Sequence, residues 1–156
     1  MSLEEYLKDK GVWYRFVEKA ETVHTLDASK ATGIPLARIA KNLVSVTDLG
    51  EFVLLVVPGD RRVDLKKAAQ ALEVRNVSTL PFKDAEAVSG YPPGGTPTLG
   101  HKRRMRIVLD QSLLGYDTLY CGGGSRNKIL ELRTQDVIRL TKAVVAEIAE
   151  IPSTVP

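Results

Sequence analysis

Cysteine is nearly absent from this chain of 156 residues: Cys121 stands alone, and two histidines, His24 and His101, accompany it. An intrachain disulfide is therefore excluded, and the thiol and imidazole sets that hold zinc cannot be assembled. No metal and no cofactor is expected. Long apolar runs are missing too. Nowhere do 18 uncharged apolar residues follow one another, and the N-terminus, MSLEEYLKDKG, is acidic where a signal peptide needs an apolar run. The chain reads as a soluble, cytoplasmic protein with no membrane partner. Phosphate-loop signatures are also lacking: Gly122-Gly123-Gly124-Ser125-Arg126-Asn127-Lys128 matches neither the Walker spacing nor GxGxxG, and a strand pattern rather than a helix follows it. A nucleotide-hydrolysing motor is disfavoured, although these glycines can still offer backbone N–H groups to a ligand.

What is present suffices for one ordinary domain spanning residues 1–156, since 44% of the residues are hydrophobic. No repeat, low-complexity tract or linker divides it. The net charge of +3 is modest, but its distribution is uneven. Arg61 with Arg62, Lys66 with Lys67, and Lys102, Arg103, Arg104 with Arg106 form basic groups. These could meet phosphates if the fold brings them to one face, or could be ordinary solvated charges.

Ser2 and Glu5 form a capping-box pattern ahead of a short helix that ends at Gly11. Val12 to Val17 reads as a strand, Thr25 as the cap of a second helix stopped by Gly33, and Ile34 to Lys41 as a turn that restarts a helix. Asn42 to Thr47 and Phe52 to Val57 form a hairpin of central strands. A third helix over Val63 to Leu72, an extended Val74 to Leu80 and a helical turn from Pro81 through Val88 come next. Arg106 to Leu109, Leu119 to Gly122 and Lys128 to Leu132 read as short strands, and Thr134 to Glu150 as one long amphipathic helix ended by Pro152. Helices and strands interleave and the hairpin excludes an all-parallel sheet, so the fold class is mixed α/β.

One stretch breaks every periodic pattern. From Gly90 to Gly100 the chain runs GYPPGGTPTLG, with three prolines and four glycines, and neither helix nor strand can pass through it. It is either a shaped loop that cradles a small group or a connector. Lys41 lies between apolar Ile39-Ala40 and apolar Leu43-Val44, so its side chain must snorkel or line a pocket. Cys121 in LYCGGG reads as a small buried strand residue rather than a nucleophile, and neither histidine has a partner that would make it an acid or base.

The order of four segments, TLDASKATGIPLARIAKNLV from 25, VLLVVPGDRRVDLKKAAQAL from 53, GYPPGGTPTLG, and LYCGGGSRNKILELRTQDVIRLT from 119, resembles the YbaK/ProX family. That family comprises aminoacyl-tRNA deacylases and the related editing insertion of prolyl-tRNA synthetase. The resemblance implies a mixed, partly barrel-like sheet flanked by helices, and a metal-independent hydrolase acting on the ester of a mischarged tRNA. Alanine, cysteine or serine is the implied cargo, and a synthetase is an implied partner. A non-catalytic module that binds aminoacyl-tRNA or a synthetase is the alternative. The oligomeric state is left open.

Residue by residue, the resemblance implies that Lys41 is the functional lysine that holds the terminal adenosine or its phosphate. Gly94, Gly95, Thr96, Thr98, Gly100, Gly122, Gly123 and Gly124 then shape the aminoacyl pocket through backbone groups, and Arg61, Arg62, Lys102, Arg103 and Arg104 receive tRNA. The chain also departs from the family pattern Gly-Gly-x-x-Pro-aromatic-Gly. Thr98 stands where proline is usual, Leu99 replaces the aromatic, and Gly122 lies where relatives often have serine, so amino-acid preference does not carry over.

Overall fold

Phe52 to Pro58 becomes the central strand because both of its faces find a core. In the computed structural model, which describes residues 2–151, Leu54 and Val56 join one apolar cluster and Val53, Leu55 and Val57 join another. A strand buried on both sides reads as a continuous apolar run rather than an alternating one.

The elements in order are α1 (Leu3–Lys10), β1 (Tyr14–Glu18), α2 (Thr25–Thr32), β2 (Ala40–Thr47), β3 (Phe52–Pro58), α3 (Leu65–Leu72) and β4 (Val77–Thr79). Then come α4 (Phe82–Ser89), β5 (Arg106–Asp110), β6 (Thr118–Gly122), β7 (Lys128–Arg133), α5 (Thr134–Thr141) and β8 (Val144–Ala146). The capping box of Ser2 and Glu5 is formed, and Leu3 and Leu7, four apart, are buried. The predicted hairpin is β2–β3, paired antiparallel from Ala40↔Pro58 to Val46↔Phe52.

Five strands form a mixed sheet in the order β4-β2-β3-β5-β8, and β1-β7-β6 form an antiparallel one. β3–β5 and β5–β8 are the parallel pairs. An isolated bridge between Ile39 and Tyr120 joins the sheets at one corner. The two layers thus curl around the larger cluster without closing into a barrel, with Leu54, Leu109, Leu119 and Leu130 between them. α3 covers the other face of the large sheet through Ala68, Ala69 and Leu72.

Three expectations are corrected. Thr25 is the first residue of α2 rather than its cap; His24 holds the cap position without a side-chain capping bond, and the Thr25 hydroxyl instead donates to the Gly59 carbonyl at 3.4 Å. Ile34 to Lys41 does not restart a helix. Pro35 is extended, Leu36–Arg38 form a single 3-10 turn, and Lys41 is already paired with Val57 in β2. Ladder pairing of the apolar strand outweighs the weak helical preference of so short a segment.

The third correction is larger: Thr134 to Glu150 is not one helix. α5 ends at Thr141, Lys142 is left-handed with φ 53, and Val144–Ala146 pair in parallel with Val108–Asp110. The β-branched pair Val144-Val145 suits an edge strand, and a buried carboxylate fixes the residues just beyond it. Asp110 accepts from the backbone amides of Ile148 at 2.8 Å and Ala149 at 2.9 Å, and also from the Ser112 hydroxyl. Pro152 lies outside the described residues.

Burial works against ionisation of Asp110, but the bonds from Ser112, Ile148 and Ala149 together hold its carboxyl below the usual range. Asp110→Ala orphans two buried amides and is expected to cost about 2–4 kcal/mol in urea unfolding. A carboxyl whose folded pKa is depressed stabilises above its unfolded pKa and loses that contribution as pH falls through the folded value. The parent should therefore lose stability at acid pH more steeply than Asp110→Ala.

Candidate functional site

The cleft follows the open edge of β2. β4 pairs only with Ser45 to Thr47, and the last cover is the Leu80 amide donating to the Val44 carbonyl at 2.9 Å. Strand alternation then turns the main-chain groups of Asn42 and Ala40 toward the same uncovered edge. Facing them are the loop from Tyr91 to Thr96 and the end of β6 at Gly122, with the starts of α2 and α4 at the rim. The cleft has a volume of about 350 Å3.

The Pro/Gly loop is held from three sides. The Gly95 amide donates to Pro92 O at 2.9 Å and Gly124 N to Gly95 O at 2.9 Å, while Arg126 Nε donates to Pro93 O at 2.9 Å. Gly94 has φ 83, and a Cβ there would lie 2.5 Å from the Thr22 carbonyl; only glycine meets both conditions. Lys19 ties this neighbourhood together, its ammonium donating to Thr22 Oγ1 at 2.6 Å and to the Arg126 carbonyl.

Lys41, Gly94, Thr96 and Gly122 line the cleft together. Burial pushes the Lys41 ammonium below its usual pKa, the Arg62 charge adds to that push, and Asp60 opposes it. Gly95, Thr98, Gly100, Gly123 and Gly124 stand behind the lining. Gly95 abuts the Ser125 backbone, Gly100 lies against Leu3 and Tyr6, Gly123 against Lys128, and Gly124 against Leu3 and Tyr91.

Thr98 is buried and its hydroxyl donates to Asn42 Oδ1 at 2.9 Å, while Asn42 Nδ2 donates to Thr96 O at 3.2 Å. Asn42 therefore clasps the loop to β2, a role no local signal announces because the partners lie 56 and 54 residues away. Thr98→Val leaves the Asn42 carbonyl oxygen without that donor and is expected to cost roughly 1–3 kcal/mol. Thermal unfolding checks this; a Tm equal to the parent's would show that the clasp holds nothing.

The basic residues divide between two places. Arg62 follows the Pro58 end of β3, where its charge acts on Lys41, and Arg61 donates to the Glu150 carbonyl at 2.8 and 2.6 Å. Arg103 and Arg104 stand near the Phe52 end in a second cleft with Glu51 and Lys142, the Arg103 guanidinium lying 4.7 Å from the Phe52 ring. The amide of Lys102 donates to Ser89 O at 2.8 Å. The predicted basic residues thus fall in local groups, Arg103 with Arg104 in the second cleft and Arg61 with Arg62 after β3.

Cys121 is buried, and burial pushes its thiol up to about 11, so it stays protonated and inert at neutral pH. His101 Nε2 lies 2.7 Å from the Pro97 carbonyl, which can only accept, so that nitrogen carries the proton. Burial lowers the His101 pKa, the Pro97 contact opposing it. Its ring braces the back of the loop. Among the described residues, no three His, Cys, Asp or Glu side chains come close enough to hold a metal ion. No helix among them is long and apolar enough to cross a membrane.

A half-buried ammonium beside an open strand edge, facing glycine backbone, can orient and polarise an acyl or phosphate group. Fold and cleft together define an editing-type domain. The chain belongs to the aminoacyl-tRNA editing domain family, whose profile matches residues 19–140. EbsC of Enterococcus faecalis, named as a candidate Cys-tRNA(Pro)/Cys-tRNA(Cys) deacylase, is 32% identical over 135 residues, covering 86% of this chain and 82% of that protein. The proline–tRNA ligase of Cupriavidus necator is 26% identical over 113 residues, 70% of this chain but 19% of the ligase. Among solved structures, a candidate trans-editing enzyme for prolyl tRNA synthetase superposes with TM-score 0.84 at 28% identity, covering 96% of this chain and 95% of its own.

Proposed function

We propose that the protein, acting as one domain and in trans, hydrolyses the ester between a small amino acid of the alanine, cysteine or serine type and the 3′ end of a mischarged tRNA. The observation that carries this reading is the convergence of Lys41, Gly94, Thr96 and Gly122 on one cleft. Water adds to the ester carbonyl, the tetrahedral centre collapses with loss of the ribose hydroxyl, and the free amino acid leaves as its carboxylate. Lys41 holds the terminal nucleotide through its charge. Main-chain groups on the β2 edge and in the glycine loop position the acyl group and stabilise the developing oxyanion.

Arg62, next to Lys41, receives the adjacent phosphate. Lys102, Arg103 and Arg104, farther off, meet the body of the tRNA together with Arg61. A second sieve of this kind serves synthetases because one methylene gives them only about 1–3 kcal/mol of discrimination.

Purified protein incubated with a panel of tRNAs carrying alanine, cysteine, serine or proline tests the reading. Deacylation of the small residues with the proline ester spared is expected. If none is cleared faster than in buffer, the reading is wrong, and steep salt-dependent binding without turnover would select a binding module instead.

A further inference from the structure

Large apolar side chains crowd the outer rim of the cleft. Phe82 is 57% exposed and Leu26 49%, and both line the cleft, as does His24. Phe82 opens α4 directly after Pro81, and the buried residues of that helix are Val88 and Ser89, at its other end. Phe82 therefore adds little to the core, and its outward position is not explained by packing. The His24 imidazole lies 6.4 Å from the Phe82 ring, tilted by 44°. A flat apolar face beside a cationic cleft matches the chemistry of a nucleotide, which joins an aromatic base to a charged phosphate.

We infer that the Phe82 ring, flanked by Leu26 and His24, is a stacking platform for the terminal nucleobase of the RNA; this rests on the cleft being an aminoacyl-ester site. The ester oxygen and the base are carried by the same ribose. An acyl group between Lys41 and Gly122 thus confines the base to the cleft's immediate rim, where Phe82 offers the largest exposed ring. Stacking tolerates any base, so the platform contributes affinity and orientation and leaves amino-acid choice to the glycine loop. Phe82 is a positioning residue: it does not touch the reacting carbonyl.

The test uses two readouts. The first is steady-state deacylation of a mischarged tRNA, in which Phe82→Ala is expected to raise KM about ten-fold with kcat changed less than about two-fold, and Phe82→Trp or Phe82→Tyr to restore the parent value. The second is the fluorescence of 2-aminopurine at the 3′ terminus of an acceptor-stem hairpin carrying an amide-linked alanine. The parent protein should quench it by stacking and Phe82→Ala should not. If the parent deacylates and Phe82→Ala leaves both KM and quenching unchanged, the platform is overturned. If the parent leaves every tRNA acylated, the deacylase reading fails; quenching lost in Phe82→Ala would still support the platform, and equal quenching would overturn it. Concentration-dependent sedimentation abolished by Phe82→Ala, with no quenching by the parent, would mark a face for a second copy of the chain and overturn it as well.

Discussion

Lys41→Ala is expected to lower kcat/KM for a mischarged tRNA by about 100-fold or more, the scale seen when one preorganised electrostatic group is removed from a reaction site. The side chain is half-buried on the part of β2 that β4 leaves uncovered, and it lines the cleft with Gly94 and Gly122. Removing it deletes a charge that nothing else on β2 supplies. Because Lys41 is in none of the three apolar clusters, the variant should fold, and a urea midpoint no lower than the parent's would confirm that the loss is chemical. Lys41→Arg should recover only part of the activity, since the guanidinium is longer and planar. A Lys41→Ala protein as active as the parent would remove the residue from the site.

The same lysine sets a pH signature. Burial, then Arg62, lowers its pKa, so the charged form disappears at a lower pH than for an ordinary lysine, and activity that needs the ammonium should fall along an alkaline limb. Arg62→Ala removes the repulsive charge and should move that limb to higher pH. For stability the slope has the same sign as for Asp110, stability rising with pH, but in a more alkaline window. A lysine with a depressed folded pKa costs stability below that pKa, and the cost is relieved as pH rises toward the unfolded value. An alkaline limb that stays in place in Arg62→Ala would show that the two charges do not interact.

Legibility in the sequence tracked how local the deciding physics is. The capping box at Ser2 and the apolar run of β3 are set by neighbours in the chain, and both are present as read. The segment after Thr141 is not local in this sense. Its apolar spacing fits a helix, but Lys142 turns left-handed and Asp110, at the end of a strand far away in the sequence, captures the amides of Ile148 and Ala149. The site divides the same way. Lys41 and the glycines are visible because their residue types are unusual where they stand. Asn42 is not, because its meaning lies in Thr96 and Thr98 across the cleft, and Phe82 is not, because an aromatic at a helix start reads as core until its exposure is known.

Gly122→Ala should be nearly as damaging as loss of the lysine. A Cβ at this position would lie 2.4 Å from the Gly95 carbonyl carbon, 2.5 Å from Thr96 O and 2.6 Å from Thr96 N. All three are main-chain atoms, and none can swing aside. The loop carrying them is clasped by Asn42 through Thr96 O and Thr98 and bonded to Gly124 through Gly95 O, so it must shift as a body. A misplacement of about 1 Å in a site can cost on the order of 100-fold in rate, and overpacking typically costs about 1–3 kcal/mol in stability. Both should appear, in kcat/KM and in the urea midpoint. Gly115→Ala, where a Cβ meets nothing within 4 Å, should change neither. Serine brings the same Cβ and is expected to fail for the same reason. A Gly122→Ser protein with parental activity would show that the loop yields freely and that the cleft is not shaped by this contact.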